Sequence, residues 1–276
     1  MSANAARVFY RLWFLALALP CSLWAAEWPT SAKLSGNDFL TPGLLKLQND
    51  AQNSPVSLWL DKGAALWVDT SSGPSCQSCH GAVETLKKSA PSFPRITRGK
   101  SADKASASAP ALINLEDQIA ACSARGGREA FKAEEDEVLA LSALLHNAAK
   151  GLPIEVKMDV KAPAEDTAHW QASLSRGAQL FSTRLGRINL ACVHCHDQNV
   201  GRQMRLDVVS PGHPTGFPIY RMTWQRLGSA ERRLRACYSG VQAVLPLPAD
   251  ADLRNLELYL KVRANGMLIE GPSIRR

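Results

Sequence analysis

Two segments of the chain carry apolar residues at the spacing of an amphipathic helix. The intervals are three and four residues, with Val138, Leu141, Leu144 and Leu145 in one segment and Leu253, Leu256, Tyr259 and Leu260 in the other. Such intervals place the apolar side chains on one face, which predicts two helices that each bury one side. Acidic residues precede both segments, and Gly151 and Gly266 follow them, as expected at helix starts and ends.

The N-terminal segment has a different pattern. Arg7 and Arg11 precede an apolar stretch from Leu12 to Trp24, and small residues follow it up to Ala26. This order predicts that residues 1–26 are a signal peptide cleaved near Ala26. An uncleaved membrane anchor is the alternative, although a span needs about 20 apolar residues. No later segment has such a run, so we expect an exported mature chain without a membrane span.

Seven cysteines occur in the chain, and six remain once residues 1–26 are set aside. Four of these six form two short motifs. Residues 76–80 and 192–196 both have the form Cys-x-x-Cys-His, which is the attachment signature of haem c. We therefore predict two covalently bound haem c groups, attached through Cys76, Cys79, Cys192 and Cys195. A zinc site is the weaker interpretation, because the two motifs lie far outside the usual separation of about 15–20 residues. Disulfides are the default in an exported chain, but thioether cysteines cannot form them.

The remaining two cysteines occupy corresponding positions, which indicates an internal duplication. Cys122 follows Cys76 by 46 residues, and Cys237 follows Cys192 by 45. Upstream, residues 63–67 (Gly-Ala-Ala-Leu-Trp) match residues 177–181 (Gly-Ala-Gln-Leu-Phe).

The order of helix, haem motif, loop with one cysteine and final helix is that of a small cytochrome c. The sequence thus predicts an all-α fold of two tandem class I cytochrome c-like domains, at residues 27–158 and 159–276. Residues 27–55 are expected to wrap onto the first repeat, and residues 100–110 to form a surface loop.

The ligands of the two irons follow from the same comparison. His80 and His196 are the predicted proximal ligands. Cys122 and Cys237 are the favoured distal ligands, because cysteine is the residue type repeated at equivalent positions. Alternatives for the second iron are His213, Met204 and Met222, whereas His146 is expected at the surface. A disulfide between Cys122 and Cys237, or two inert buried thiols, also stays open.

Charge is informative only locally. The 276-residue chain carries 32 Lys and Arg against 25 Asp and Glu, a net +7 without long basic runs, which does not favour nucleic-acid binding. Four arginines, however, lie in the eleven residues before Cys237: Arg226, Arg232, Arg233 and Arg235. Guanidinium groups favour a thiolate and bind oxyanions, so the cluster predicts an anionic substrate at Cys237. A solvated basic face or pairing with haem propionates is the alternative.

From about Ser57 to its C-terminus the chain resembles the dihaem SoxA subunits of the periplasmic sulfur-oxidising cytochrome SoxAX. The resemblance rests on both haem motifs, the two further cysteines, Arg-Leu-Arg-Ala-Cys at 233–237 and Leu-Glu-Leu-Tyr-Leu at 256–260. It implies that Cys122 and Cys237 each ligate a haem iron, that Cys237 is a catalytic persulfide, and that Arg233 binds substrate.

The activity that this resemblance implies is that of an L-cysteine S-thiosulfotransferase, a thiosulfate-oxidising haem enzyme of the periplasm. Thiosulfate is joined to a cysteine of the carrier SoxY, in its SoxYZ complex, through a new S–S bond. The two electrons pass through haem to the SoxX cytochrome subunit and then to a small acceptor cytochrome c.

Three other functions share parts of this pattern. A non-catalytic dihaem electron carrier needs no reactive cysteine, and a thiosulfate dehydrogenase would join two thiosulfates into tetrathionate. A dihaem peroxidase needs an iron with an open coordination position, which a thiolate on each iron disfavours.

Overall fold

The computed structural model describes residues 33–98, 109–125 and 129–276; the predicted signal peptide, most of the predicted 100–110 loop and Arg128 lie outside these ranges. The α-helices in the described residues are α1 Pro42–Asn49, α2 Val56–Val68, α3 Cys76–His80, α4 Leu115–Ser123, α5 Asp136–Ala148, α6 Ala164–Ser182, α7 Cys192–His196, α8 Ala230–Gly240 and α9 Ala251–Arg263. Both helices predicted from apolar spacing are present, as α5 and α9. No helix of the described residues is long and apolar enough to cross a bilayer.

Two helix pairs form the framework, and a glycine lies at each crossing. Helix α2 packs on α5, and α6 packs on α9. A methyl group on Gly63 of α2 would overlap the carbonyl oxygen of Ala140, and one on Gly177 of α6 would overlap that of Asn255. These glycines belong to the two matching segments, so the repeated glycine has a physical role: it allows two helix backbones to come close.

The cysteine outside each haem motif lies in a helix, which corrects the expectation of a loop. Helix α4 begins after the N-cap Asn114, whose side chain accepts a hydrogen bond from the Asp117 amide. Helix α8 begins after the N-cap Ser229, which accepts from the Arg232 amide. Cys122 and Cys237 both come eight residues after their caps. The caps therefore set the helical phase of both thiols in the same way.

The segments that follow α5 and α9 pair with each other. The amides of Gly151 and Ile154 donate to the carbonyls of Ile269 and Met267, at 2.9 and 2.8 Å. Conversely, the amides of residues 266 and 269 donate to the carbonyls of residues 154 and 152, at 2.9 and 2.8 Å. Equivalent residues thus exchange bonds, as expected around an approximate two-fold axis. Gly151 and Gly266 adopt φ of +83° and +82°, which explains why glycine ends both helices.

Short strands make the fold mainly helical rather than all-α. The strands of the described residues are β1 Arg95–Thr97, β2 Ala111–Ile113, β3 Gln203–Met204, β4 Asp207–Val208, β5 Ile219–Arg221, β6 Arg226–Gly228 and β7 Ser273–Arg275. β1 pairs with β2 and β3 with β4, both antiparallel. β5 lies between β6 (antiparallel) and β7 (parallel). Runs of two or three residues are too short to produce a period-two pattern, which is why the sequence did not predict them.

The N-terminal segment packs on the C-terminal residues, and the expectation that it wraps onto the first repeat is wrong. The Ser35 hydroxyl donates to the Glu270 carboxylate at 2.7 Å, and the side-chain amide oxygen of Gln48 accepts from the Ile274 backbone amide at 2.9 Å. Arg275 donates to the side chain of Asn37 at 3.1 Å. The segment thus covers β7 and the chain that leads to it.

The largest apolar core contains residues from both sides of the predicted boundary at residue 158. Trp67, Val138 and Leu141 are buried with Leu258 and Ile269 in one cluster. The two helical units therefore share a core, and burial of one depends on the other.

We expect Gly63→Ala and Gly177→Ala each to lower the free energy of unfolding by about 1–3 kcal/mol, because the added methyl forces two packed helices apart. Denaturant unfolding of the haem-loaded protein measures this. Gly43→Ala is the matched control, since its methyl meets nothing within 4 Å. Unfolding free energies of both variants within about 0.5 kcal/mol of wild type would contradict the close-approach role.

Candidate functional site

The first haem motif and Cys122 line one cavity. Helix α3 carries the motif, and the Ser75 side chain caps it by accepting from the Ser78 amide at 3.0 Å. The cavity has a volume of about 350 Å³, and the motif cysteines, His80 and Cys122 all line it. Apolar side chains form much of the remaining wall: Leu66, Trp67, Leu86, Phe93, Leu115, Ile119, Phe131, Leu141 and Leu145. A large apolar cavity with few convergent polar groups is typical of a cofactor site.

A hydrogen-bonded pair of side chains supports the Cys122 sulfur. Gln118, one turn earlier on α4, donates to the sulfur at 3.1 Å. Arg95 donates to the side-chain amide oxygen of Gln118 at 3.3 Å. Sequence analysis missed both residues, although the i−4 spacing of Gln118 is a signal that could have found it.

The second motif holds His196 through Nδ1, so that Nε2 is the ring nitrogen available to a metal. Its Nδ1 lies 2.7 Å from the Ser210 carbonyl oxygen, which holds the proton on Nδ1 and leaves the Nε2 lone pair. Gly212 approaches the imidazole so closely that a methyl group there would lie 3.0 Å from Nδ1. The thiol of Cys237 is hydrogen-bonded to the same imidazole. The predicted proximal and distal ligands are thus together.

Burial and charge act in opposite directions on Cys237. Burial alone would raise the pKa of this thiol, but the hydrogen bond with His196 and the charges of Arg233 and Arg221 lower the pKa to about 7. Burial, and then the nearby Cys237 charge, raise the pKa values of Cys192 and Cys195. The site therefore favours the thiolate at Cys237 over the thiolates of the motif.

The four arginines before Cys237 do not form one cluster. Arg226 pairs with Asp136 of α5 at 2.6 Å. Arg232 lies over the Trp224 ring at 4.9 Å, and Arg235 donates to the Pro246 carbonyl at 3.0 Å. The charge of Arg233, by contrast, lowers the pKa of Cys237. Helical geometry explains this selection, because positions i and i−4 share a face.

Arg221 is a further residue of this site that the sequence gave no reason to choose. It ends β5, and its charge also lowers the pKa of Cys237. Sixteen positions separate the two residues in the chain. Only the packing of the three-stranded sheet against α8 brings them together, so no local pattern could have identified the pair.

The other candidate ligands lie elsewhere. Met204 and Met222 are exposed, by 51% and 45%. Nδ1 of His213 lies 2.8 Å from the carbonyl oxygen of Leu34. No disulfide joins the six cysteines of the described residues, and Cys122 and Cys237 lie in separate sites.

The residues present fit two haem c groups. At the first site the fit is the cavity, whose lining contains the two motif thiols, the imidazole of His80 and the thiol of Cys122. At the second site it is the donor set: an imidazole with its Nδ1 already bonded, two motif thiols and a partly buried thiol that favours its ionised form.

His146 is buried, and the expectation that it lies at the surface is wrong. Only 4% of it is exposed, and burial lowers its pKa to about 3. Beside it, Glu116, Glu257 and Lys261 line a cavity of about 10 Å³ between the two helical units. Ser142 donates to Glu116 at 2.7 Å, completing a polar cluster in the interior.

These features define the class of protein as a c-type cytochrome, and comparisons with known proteins agree. The family model described as SoxA/TsdA, cytochrome c domain matches residues 62–154. The SoxA subunit of L-cysteine S-thiosulfotransferase from Pseudaminobacter salicylatoxidans is 32% identical over 251 residues, which cover 90% of this chain and 82% of that protein. Its counterpart from Paracoccus pantotrophus is 29% identical, with coverage of 87% and 78%.

A solved structure gives the same result. The crystal structure of SoxXA from P. pantotrophus contains a chain that matches with a TM-score of 0.74 and 28% identity, over 88% of this chain and 86% of that one. This chain belongs to the SoxA family of L-cysteine S-thiosulfotransferase subunits. The family membership predicted from sequence is confirmed.

The buried carboxylates make stability depend on pH. Burial raises the pKa values of Glu116 and Glu257 above the usual 4.5, and the charge of Glu116 raises the pKa of Glu257 further. The folded protein therefore retains a proton that the unfolded chain releases above about pH 4.5. The free energy of unfolding falls as the pH rises from about 4.5 through the raised pKa values of the folded state.

We expect Glu257→Gln to weaken this loss of stability between about pH 5 and pH 8, because it removes one titrating group and its repulsion of Glu116. Denaturant unfolding at several pH values measures the slope. The matched control is Glu155→Gln at an exposed carboxylate. Parallel pH profiles of Glu257→Gln and wild type would show that the pair holds no extra proton.

Proposed function

We propose that the L-cysteine S-thiosulfotransferase reaction of this family takes place at Cys237. One observation carries the assignment: a partly buried thiol is hydrogen-bonded to the imidazole of a haem motif and lies in the field of Arg233 and Arg221. A thiol in such a field is ionised more readily and attracts an anion. Thiosulfate, a small dianion, fits this charge.

The cofactors we propose are two haem c groups, one in each of two tandem class I cytochrome c-like domains at residues 27–158 and 159–276. Cys76 and Cys79 would attach the first, and Cys192 and Cys195 the second. The crossings at the two matching glycines and the reciprocal pairing after α5 and α9 support an origin by duplication.

The axial ligands we propose are His80 with Cys122, and His196 with Cys237. Both cysteines come eight residues after a helix cap, and both lie in a site that also contains the motif histidine. When bound, haem supplies a one-electron acceptor whose potential a thiolate ligand lowers.

The reaction we propose forms one S–S bond and then exchanges it. The terminal sulfur of a Cys237 persulfide bonds to the sulfane sulfur of thiosulfate, and the two electrons released pass to the SoxX subunit and the acceptor cytochrome c. The cysteine thiolate of the carrier protein, SoxY in SoxYZ, then attacks that sulfane sulfur. The bond between this sulfane sulfur and the terminal sulfur of the persulfide breaks, and the Cys237 persulfide is restored. In sum, a cysteine thiolate and thiosulfate give a cysteine S-thiosulfonate and two electrons, so atoms and charge balance.

Arg233 has the role of binding the sulfonate oxygens, because a guanidinium offers two parallel N–H donors to an oxyanion. The equivalent position before Cys122 is Gln118, also four residues earlier, and it donates to the sulfur itself. The neutral residue at the first site and the cation at the second support a single substrate site, at Cys237.

The partners we propose are a SoxX cytochrome subunit, the SoxYZ carrier and an electron-accepting cytochrome c. The solved relative is a SoxXA complex, which supports the first of these. The signal peptide predicted at residues 1–26 supports a periplasmic location.

We expect two haems per chain and one altered haem in Cys122→Met, because thioether sulfur donates less charge to iron than thiolate does. Intact mass and the pyridine haemochrome assay count the haems, and electron paramagnetic resonance resolves their ligands. Cys237→Met is the matched variant and should alter the other haem. A single haem per chain, or a Cys122–Cys237 disulfide in non-reducing peptide maps, would contradict the assignment.

We expect Arg233→Ala to lower kcat/KM for thiosulfate by roughly one to two orders of magnitude, because a charge-assisted hydrogen bond is worth about 1.5–3 kcal/mol. Thiosulfate-dependent cytochrome c reduction with SoxX and SoxYZ measures it, and Arg233→Lys should restore only part. Arg235→Ala is the control on the same helix, since its side chain donates to Pro246. Equal activity of Arg233→Ala and wild type would exclude the substrate-binding role, and tetrathionate as the product would exclude the carrier reaction.

A further inference from the structure

Arg221 occupies a rigid position in the three-stranded sheet, whose strand β6 packs against α8, the helix of Cys237. It is the last residue of β5, the central strand of the three-stranded sheet, where it is the register partner of Arg226 on β6 and of Arg275 on β7. The carbonyl of Arg221 accepts from the amides of Trp224 and Gln225, at 2.9 and 2.8 Å. Backbone pairing on both sides holds the start of this side chain in place.

The guanidinium of Arg221 is oriented but incompletely paired. Its Cζ lies 5.4 Å from the centroid of the Trp224 ring, an arrangement that orients the plane of the group. Its one carboxylate partner in the described residues is Asp207, through a long contact of 3.4 Å. Nε is buried and has no hydrogen-bond partner among the described residues. A buried donor without a partner is unfavourable, so the site has capacity for an acceptor.

Two like charges meet at this point. Burial and then the charge of Arg233 lower the pKa of Arg221, which shows that the guanidinium groups repel each other. The Asp207 side chain is 47% exposed, so solvent screens the attraction between its carboxylate and the Arg221 guanidinium. Two neighbouring guanidinium groups, of which Arg221 has this weak carboxylate contact, are stabilised when an anion binds between them.

We propose that Arg221 is a second substrate-binding residue, which holds the sulfonate oxygens of thiosulfate together with Arg233. This inference rests on the proposed reaction at Cys237. Arg221 comes from a strand and Arg233 from a helix, so the two planar groups approach the anion from different elements. Two such contacts fix the orientation of a small dianion, whereas one permits it to rotate. The sulfonate end is held by the arginines, and the sulfane sulfur is directed to Cys237.

The test uses the haem-loaded complex with Arg221→Gln and Arg221→Lys. The matched control is Arg176→Gln, which removes the same charge from a guanidinium that Asp252 and Gln179 engage through three hydrogen bonds. We expect Arg221→Gln to raise KM for thiosulfate roughly tenfold or more, with a smaller change in kcat, and Arg221→Lys to recover part of it. The control should keep the wild-type KM.

Two further measurements separate substrate binding from other roles. Sulfate, an unreactive dianion, should raise the Tm of wild type above a sodium chloride reference of equal ionic strength, and Arg221→Gln should lose this rise. An unchanged KM together with a shifted midpoint potential of one haem would overturn the proposal and assign Arg221 to a propionate. Loss of haem from both Arg221 variants would assign it a structural role. Absence of thiosulfate turnover in the wild-type protein would overturn the proposed function. The effect of sulfate on Tm would still show whether Arg221 binds a dianion.

Discussion

The buried guanidinium of Arg254 connects the two cysteine helices. From α9 it donates to both carboxylate oxygens of Asp117, at 2.6 and 2.7 Å, and its third nitrogen donates to Glu231. Asp117 lies in the first turn of α4 and Glu231 in the first turn of α8. The side chain of Arg254, which is 4% exposed, thus fixes the N-terminal turns of the two helices that carry Cys122 and Cys237. Because an unpaired buried charge is costly, displacement of either helix is opposed by the desolvation of its carboxylate.

On this common framework the two thiols have different surroundings. Cys122 receives a hydrogen bond from a neutral amide, and Arg95 is engaged by that same amide. Cys237 is near the guanidinium groups of Arg233 and Arg221, and Nε of Arg221 has no hydrogen-bond partner among the described residues. The two cysteine helices match in their caps, and single side chains around each thiol decide which site can attract an anion. In the proposed function, this difference places the sulfur chemistry at Cys237.

Local spacing made much of this protein predictable. Cysteines three residues apart on one turn, apolar residues at intervals of three and four, and a glycine after each final helix are properties of short segments, and all were present in the structure. Family membership followed from the same segments. These features are predictable because covalent geometry and helix periodicity act over a few residues and are independent of what lies opposite.

Tertiary structure decided the features that depend on distant parts of the chain. His146 is buried because α9 and α4 bring Lys261 and Glu116 beside it. The N-terminal segment covers the C-terminal strand, a contact that no local signal records. The arginines before Cys237 differ in role because each meets a different surface, and Arg221 joins the site from a separate strand. The sequence by itself determined which groups are available for haem attachment and sulfur chemistry. Only long-range packing determined which of them meet, because burial, pairing and the direction of a side chain are set by its neighbours in space.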